Sequence, residues 1–290
     1  MSSNTAAATA TAASPARKPL VGVSFKMYFD LPKTQAYINH TLSLLASALP
    51  TLQRQTDVFV IPDFVTLTTT KALIDAASPP QGPPLLDLGA QDVHSTDFGA
   101  YTGEVSPVVL SQVGVRFVEI GHAERRRLFG ETDDDVAKKA SVITANAMVP
   151  LVCIGEVSRP DNEASISDQD LERTVIAEVW TQIRPVLESI RDQDDVVFAY
   201  EPVWAIGAAQ PAPADYVVKV TQAIRRRYNR EYAGRRSDQS MRILYGGSAG
   251  PGLFEKLKDG VEGLFLGRFA HKPEAFVETI KEIAGVKADA

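Results

Sequence analysis

A single cysteine, Cys153, stands among 290 residues. That excludes an intramolecular disulfide framework and any multi-cysteine metal or iron–sulfur site, and it fits a reducing compartment. Histidine is also scarce, with 4 in the chain, and His40, His94 and His271 show no paired spacing such as His-Glu-x-x-His. They read as structural or surface residues, and no metal site is indicated. No apolar run approaches the length of a membrane span. Positive charge is in deficit: 30 Lys and Arg against 36 Asp and Glu leave a formal charge of -6. A chain of that balance is a poor match for nucleic acid or an anionic membrane, so any phosphate it holds must be met by local groups. The first turn after a strand, Val21-Gly22-Val23-Ser24-Phe25-Lys26, lacks a glycine-rich dinucleotide fingerprint. These absences describe a soluble, cytoplasmic protein with neither resident metal nor cofactor.

What is present is ordinary globular material, 44% hydrophobic and 23% charged. The length would allow two domains at roughly 150 residues each, or one α/β barrel of roughly 250 residues. Residues 1–18 are nearly all Ala, Ser and Thr, closed by Arg17 and Lys18. They cannot bury a core and read as a disordered tail; a transit peptide, the functional alternative, would carry more arginines. From Pro19 to Ala290 strand-like and helix-like runs alternate. Strands are expected at Leu20 to Phe25, Asp57 to Ile61, Leu86 to Gln91, Val115 to Ile120, Pro150 to Ile154, Val196 to Tyr200, Arg242 to Tyr245 and Gly263 to Leu266. Several are nearly continuous apolar runs, as strands covered on both faces should be. Between them lie helical repeats such as Leu171, Val175, Val179 and Ile183, preceded by a capping box at Ser167 and Asp170. With no linker between halves, the fold class is α/β and the architecture a single closed (β/α)8 barrel, with a doubly wound sheet as the rival.

In such a barrel chemistry gathers at the C-terminal ends of strands. Lys26 follows the first, His122 and Glu124 the fourth, and Glu201 the sixth, before an apolar loop holding Trp204 that has the look of a lid. Each has a bland explanation alone: a solvated loop lysine, a surface ion-pair cluster with Arg125 and Arg126, an ordinary rim carboxylate. Together at three strand ends they form a constellation. A histidine that opens a helix has its neutral form favoured by the helix dipole. Glycine turns follow the last two strands, Tyr245-Gly246-Gly247-Ser248 and Gly267-Arg268, where barrels often bind phosphate on backbone N–H groups. Cys153 lies in an apolar run without a histidine base and reads as a core thiol.

The residues resemble the triosephosphate isomerase family from about Val21 to Ala284. The resemblance is carried by Ser24-Phe25-Lys26-Met27, Gly89-Ala90-Gln91-Asp92-Val93, Gly99-Ala100-Tyr101-Thr102-Gly103-Glu104, Gly121-His122-Ala123-Glu124-Arg125-Arg126, Cys153-Ile154-Gly155-Glu156, Tyr200 to Gly207, and Tyr245-Gly246-Gly247-Ser248. It implies a single (β/α)8 TIM barrel working as a cofactor-free homodimer on a small phosphorylated sugar. By resemblance, Glu201 is the base that shuttles a proton between adjacent carbons, neutral His122 polarises the carbonyl, Lys26 stabilises the enediolate, and Glu124 orients the site. Ser24 contacts substrate, and backbone N–H groups at Gly207, Ser248, Gly267 and Arg268 hold the phosphate. Closure of Val203 to Gly207 excludes water. Thr102 reaches the partner subunit's site.

Departures from the family pattern bear on the substrate. Ser24 replaces an asparagine, leaving room at the reacting end. Arg268 replaces a glycine, which implies either backbone strain or an added guanidinium. Ala208-Ala209-Gln210 alters the far hinge of the lid, with Pro211 and Pro213 stiffening it. Ala123 and Asp92 are lesser changes. Three functions follow: interconversion of dihydroxyacetone phosphate and glyceraldehyde 3-phosphate, isomerisation of a four-carbon ketose phosphate such as an erythrulose phosphate, or non-catalytic binding of a phosphometabolite. Intact Lys26, His122 and Glu201 weigh against the last.

Overall fold

The computed structural model describes residues 17–47, 55–160, 163, 165–207, 211–247 and 249–285. Eight parallel strands close in chain order: β1 Leu20–Ser24, β2 Asp57–Ile61, β3 Asp87–Ala90, β4 Val115–Ile120, β5 Val149–Ile154, β6 Val196–Tyr200, β7 Met241–Gly247 and β8 Gly263–Leu266. Closure is made by β1 against β8, with Val21 opposite Leu264 and Val23 opposite Leu266. Helices follow the strands, and the long ones alternate a buried and an open face, as in Ala214–Glu231, where Tyr216, Val217, Val220, Ile224 and Tyr228 are buried. The tail expected at residues 1–18 lies outside the described residues up to position 16. Arg17, at its end, meets Asp195 at 2.8 Å.

Two apolar layers hold the barrel. The larger lies between strands and helices and includes Val21, Val23, Val118, Ile120, Phe198 and Ile280. The smaller fills the barrel itself with Leu20, Phe59, Ile61, Phe117, Leu151, Cys153, Val197, Ala199, Leu244 and Phe265. Period-two alternation along a strand divides residues between the two. In β4 it turns Phe117 inward and Val118 outward, and in β1 it turns Leu20 and Ser24 inward. Gly22, between them, is required by close approach. A Cβ there would sit 2.0 Å from the ring of Phe59, so the missing side chain leaves the space that ring occupies.

The strands agree with the sequence reading except at their ends. β7 runs on through Gly246 and Gly247, residues expected to form a turn. Phe25 leaves β1, although its N–H still donates to Ile61 at 2.9 Å. Ser167 caps the Asp168–Leu171 turn, its hydroxyl accepting from the Asp170 N–H at 3.1 Å. That turn continues through a π-helical segment, Glu172–Ile176, into the Ala177–Ser189 helix. A strict four-residue repeat drifts around a helix of about 3.6 residues per turn, and the wider π turn takes up the drift. Leu171, Val175, Val179 and Ile183 thereby all stay buried.

Candidate active site

Lys26 stands just above β1 with a φ of 48°, one of two left-handed non-glycine residues among those described. Such a conformation costs a side-chain-bearing residue about 1 kcal/mol or more, and it persists where surrounding contacts fix it. Here Gln91 Nε2 donates to the Lys26 carbonyl at 2.8 Å. The ammonium reaches Glu124 Oε1 at 3.1 Å. His122 caps the Ala123–Phe129 helix, its Nδ1 accepting from the Glu124 N–H at 3.1 Å. An imidazole that accepts through Nδ1 carries its proton on Nε2, so this contact selects the neutral tautomer. Burial, and then the neighbouring Lys26 and Arg127 cations, lower its pKa to about 4 against the opposing pull of Glu124. The loop behind is braced: the Gly121 N–H donates to Glu131 at 3.0 Å, and Arg126 to the Gly121 carbonyl at 2.7 Å. Arg125 and Arg126 thus act as buttresses, paired with Asp92 at 2.7 Å and Asp133 at 2.5 Å. Asp92 also meets the buried Lys139 at 2.7 Å, so its charge answers a cation.

Glu201 follows β6 and is half-buried. Burial raises its carboxyl to about 7, with Glu124 adding and Lys26 opposing. Space for it comes from β7: Gly247 has a φ of 114°, and a Cβ there would lie 3.0 Å from Glu201 Oε1. The glycine pair expected to form a phosphate turn gives clearance to the Glu201 side chain. Beyond Glu201 the segment expected to act as a lid begins as a short 3-10 turn, Val203–Ala205. It is tied down by Glu156, a fully buried carboxylate. Trp204 Nε1 donates to it at 2.8 Å, Tyr216 at 2.7 Å and Tyr200 at 3.1 Å. The far hinge, Ala208-Ala209-Gln210, lies outside the described residues.

Ser24, Lys26, Glu124, Glu201, Gly207, Gly247, Gly267 and Arg268 line one cavity of about 630 Å³, and His122, which accepts from the Glu124 N–H, is not among its lining residues. Arg268 is exposed at its edge, and its backbone is outside the left-handed region. Of the two consequences considered for this residue, left-handed strain is thus absent, and its guanidinium has no hydrogen-bond or ion-pair partner among the described residues. Ser248 lies outside the described residues. Thr102 is exposed on its loop and takes no part in lining the cavity within this subunit.

Two further groups in the cavity were not anticipated from the sequence. His271 lies in the wall, its Nε2 donating to the Ser24 carbonyl at 3.2 Å, a structural contact of the kind expected for it. Glu119 is the other. It is 3% exposed on the inward face of β4 and takes a hydrogen bond from Ser24 Oγ at 3.0 Å. The signal was a lone carboxylate inside Val115-Arg116-Phe117-Val118-Glu119-Ile120, whose inward direction depends on barrel register. Burial raises Glu119 to about 7, while the Ser24 hydrogen bond and Lys26 oppose the shift. Cys153 is buried, and burial with nearby carboxylates pushes its thiol well up, so it is no nucleophile.

The chain matches the family described as triosephosphate isomerase over residues 19–283. It is 42% identical over 271 residues to a protein of Pectobacterium atrosepticum named L-erythrulose-1-phosphate isomerase, spanning 90% of this chain and 93% of that one. A Rhizobium etli protein of the same name is 36% identical over 267 residues, with 91% and 92% covered. A Listeria monocytogenes protein named probable triosephosphate isomerase 2 is 33% identical over 276 residues, with 93% and 99% covered. A closed eight-stranded barrel carrying lysine, histidine and glutamate at the ends of β1, β4 and β6, together with a match over almost its whole length, makes this chain an isomerase of the triosephosphate isomerase family.

Proposed function

We propose that the substrate is a four-carbon ketose phosphate and that the reaction moves its carbonyl between two adjacent carbons. The observation that carries the choice of four carbons over three is Ser24. Its short side chain turns to Glu119 and leaves the reacting end of the cavity open, where an asparagine amide would project. The names of the relatives at 42% and 36% identity favour the same substrate class.

For a 1-phosphorylated 2-ketotetrose, Glu201 takes the proton from C3, and an enediolate forms across C2 and C3. Returning that proton to C2 places the ketone at C3, so the same chemistry that joins an aldose to a ketose here exchanges one ketone for another. His122 suits the electrophile: with Nδ1 occupied, its Nε2–H is the donor left for the carbonyl oxygen, on a neutral ring. The Lys26 ammonium stabilises the enediolate charge. The Gly207, Ser248, Gly267 and Arg268 N–H groups hold the phosphate, and closure of Val203 to Gly207 keeps water from an intermediate prone to expel it.

A homodimer belongs to this proposal. Met27, Val65, Phe98 and Tyr101 are 89%, 85%, 68% and 48% exposed on the first three strand-to-helix loops. An apolar set of that size calls for a covering partner, and Thr102 lies among them to reach the partner subunit's cavity.

Purified protein assayed on a ketotetrose 1-phosphate and on both triose phosphates tests the substrate. The expected kcat/KM is at least about tenfold higher for the tetrose, and Glu201→Asp lowers kcat on the order of a hundredfold or more. Preference for the trioses would overturn the substrate assignment. Full activity in Glu201→Asp would overturn the role of the base.

A further inference from the structure

The carboxylate of Glu119 has no evident structural employment. It occupies an inward position of β4 opposite Leu151, on the barrel face whose apolar members also include Phe117, Ala199 and Phe265. Burying a carboxylate there is costly unless its oxygens are met. Oε2 has the Ser24 hydroxyl at 3.0 Å. Among the described residues Oε1 meets only the Cys153 thiol, at 3.9 Å, a weak donor at long range. A carboxylate can accept about four hydrogen bonds, so this one retains unused capacity, and it borders the cavity. The carboxylate is bonded to Ser24, and Ser24 and Lys26 line the same cavity.

We propose that Glu119 and Ser24 form the recognition site for the terminal hydroxymethyl group of a four-carbon sugar phosphate, with Glu119 accepting from its hydroxyl. The inference rests on the substrate class proposed above and names the residues that read it. The chemistry is complementary on three counts. A triose phosphate ends at the reacting carbon and has no group to offer Glu119, whereas a tetrose phosphate carries one more carbon with a donor on it. The serine is short enough to leave that carbon space, and its own hydroxyl is already turned to the carboxylate. The negative charge of Glu119 also rejects a ligand inserted phosphate first, leaving the glycine and Arg268 end for the phosphate. Glu119 is a specificity residue in this scheme and moves no proton.

Non-reactive ligands separate this from turnover. Isothermal titration calorimetry with erythritol 4-phosphate and glycerol 3-phosphate compares a ligand bearing the extra hydroxymethyl with one lacking it. The wild type should bind the tetritol phosphate about tenfold tighter. Glu119→Leu should bring the two to parity while leaving glycerol 3-phosphate within about twofold of its wild-type affinity. Glu119→Gln, which keeps one acceptor, should fall between. Equal affinity of the wild type for both ligands, or an affinity ratio unchanged in Glu119→Leu, overturns the assignment. The outcomes also divide the two proposals. A Glu119-dependent preference without turnover of the tetrulose phosphate removes the proposed reaction and keeps the recognition site. Brisk turnover with a ratio indifferent to Glu119 does the reverse.

Discussion

Glu119 and Glu201 are both raised to about 7 from an ordinary 4.5, in each case chiefly by burial. For stability the sign follows directly. A carboxyl whose folded pKa lies above its unfolded value binds its proton more tightly in the folded chain. Folding is therefore favoured at low pH, and that advantage is lost as pH rises from 4.5 through about 7. For proton abstraction the sign is opposite, since Glu201 must be ionised. Replacing Glu119 by glutamine removes one of these titrations and keeps the other group, whose own charge helps to raise Glu119. In thermal melts Glu119→Gln should exceed the wild type at pH 8, by up to about 3 kcal/mol, and the gap should narrow at pH 5. A gap independent of pH would mean that Glu119 does not ionise on this range. Lys26, His122 and Glu201 were legible in the sequence because each directly follows an apolar strand. Glu119 was not, because a lone carboxylate within a strand faces inward or outward according to closure, and the sequence states no register.

At the scale of elements, the segment after β6 works through a contact made elsewhere. The apolar run Pro202 to Gly207 could be read as a lid from its tryptophan, but its tether could not. Glu156 comes from the end of β5, Tyr200 from β6 and Tyr216 from the Ala214–Glu231 helix. These positions meet only once β5 has paired with β6 and the following helix has docked. Trp204→Phe keeps an aromatic side chain and removes one donor, leaving Glu156 with the two tyrosines. The expected cost is about 1 kcal/mol of stability, read by chemical denaturation, with a several-fold fall in kcat as the lid loses its anchored position. A fall in stability with kcat unchanged would make the tether purely structural. The Leu171 repeat shows the complementary case, in which the pattern was legible and its geometry was not. Spacing by four predicted a helix, and the π segment within it answers the mismatch of that spacing with an α-helical turn.

At the scale of the whole molecule, alternation of strand and helix and the missing linker were sufficient to predict one barrel, because parallel strands joined by helices have few ways to bury both faces. The proposed association was legible in the sequence only through the family resemblance: Met27, Val65, Phe98 and Tyr101 are unremarkable until three loops bring them to one end. Replacing Phe98 and Tyr101 together by aspartate should convert the proposed dimer to a monomer in sedimentation velocity. Activity should fall with it, since Thr102 then has no neighbouring cavity to reach. A monomeric wild type would dispose of that proposal. Under Ser24 and Glu119 the barrel is plugged by the rings of Phe59, Phe117 and Phe265, with centroids 4.8 and 5.8 Å from Phe59 to the other two. The same rings are part of the folding core, where removing one costs about 3–5 kcal/mol. The upper limit on chain length of a ligand entering from the rim is thereby set by the molecule's own cohesion: deepening the cavity to admit a longer sugar would require loosening the barrel that positions Lys26, His122 and Glu201.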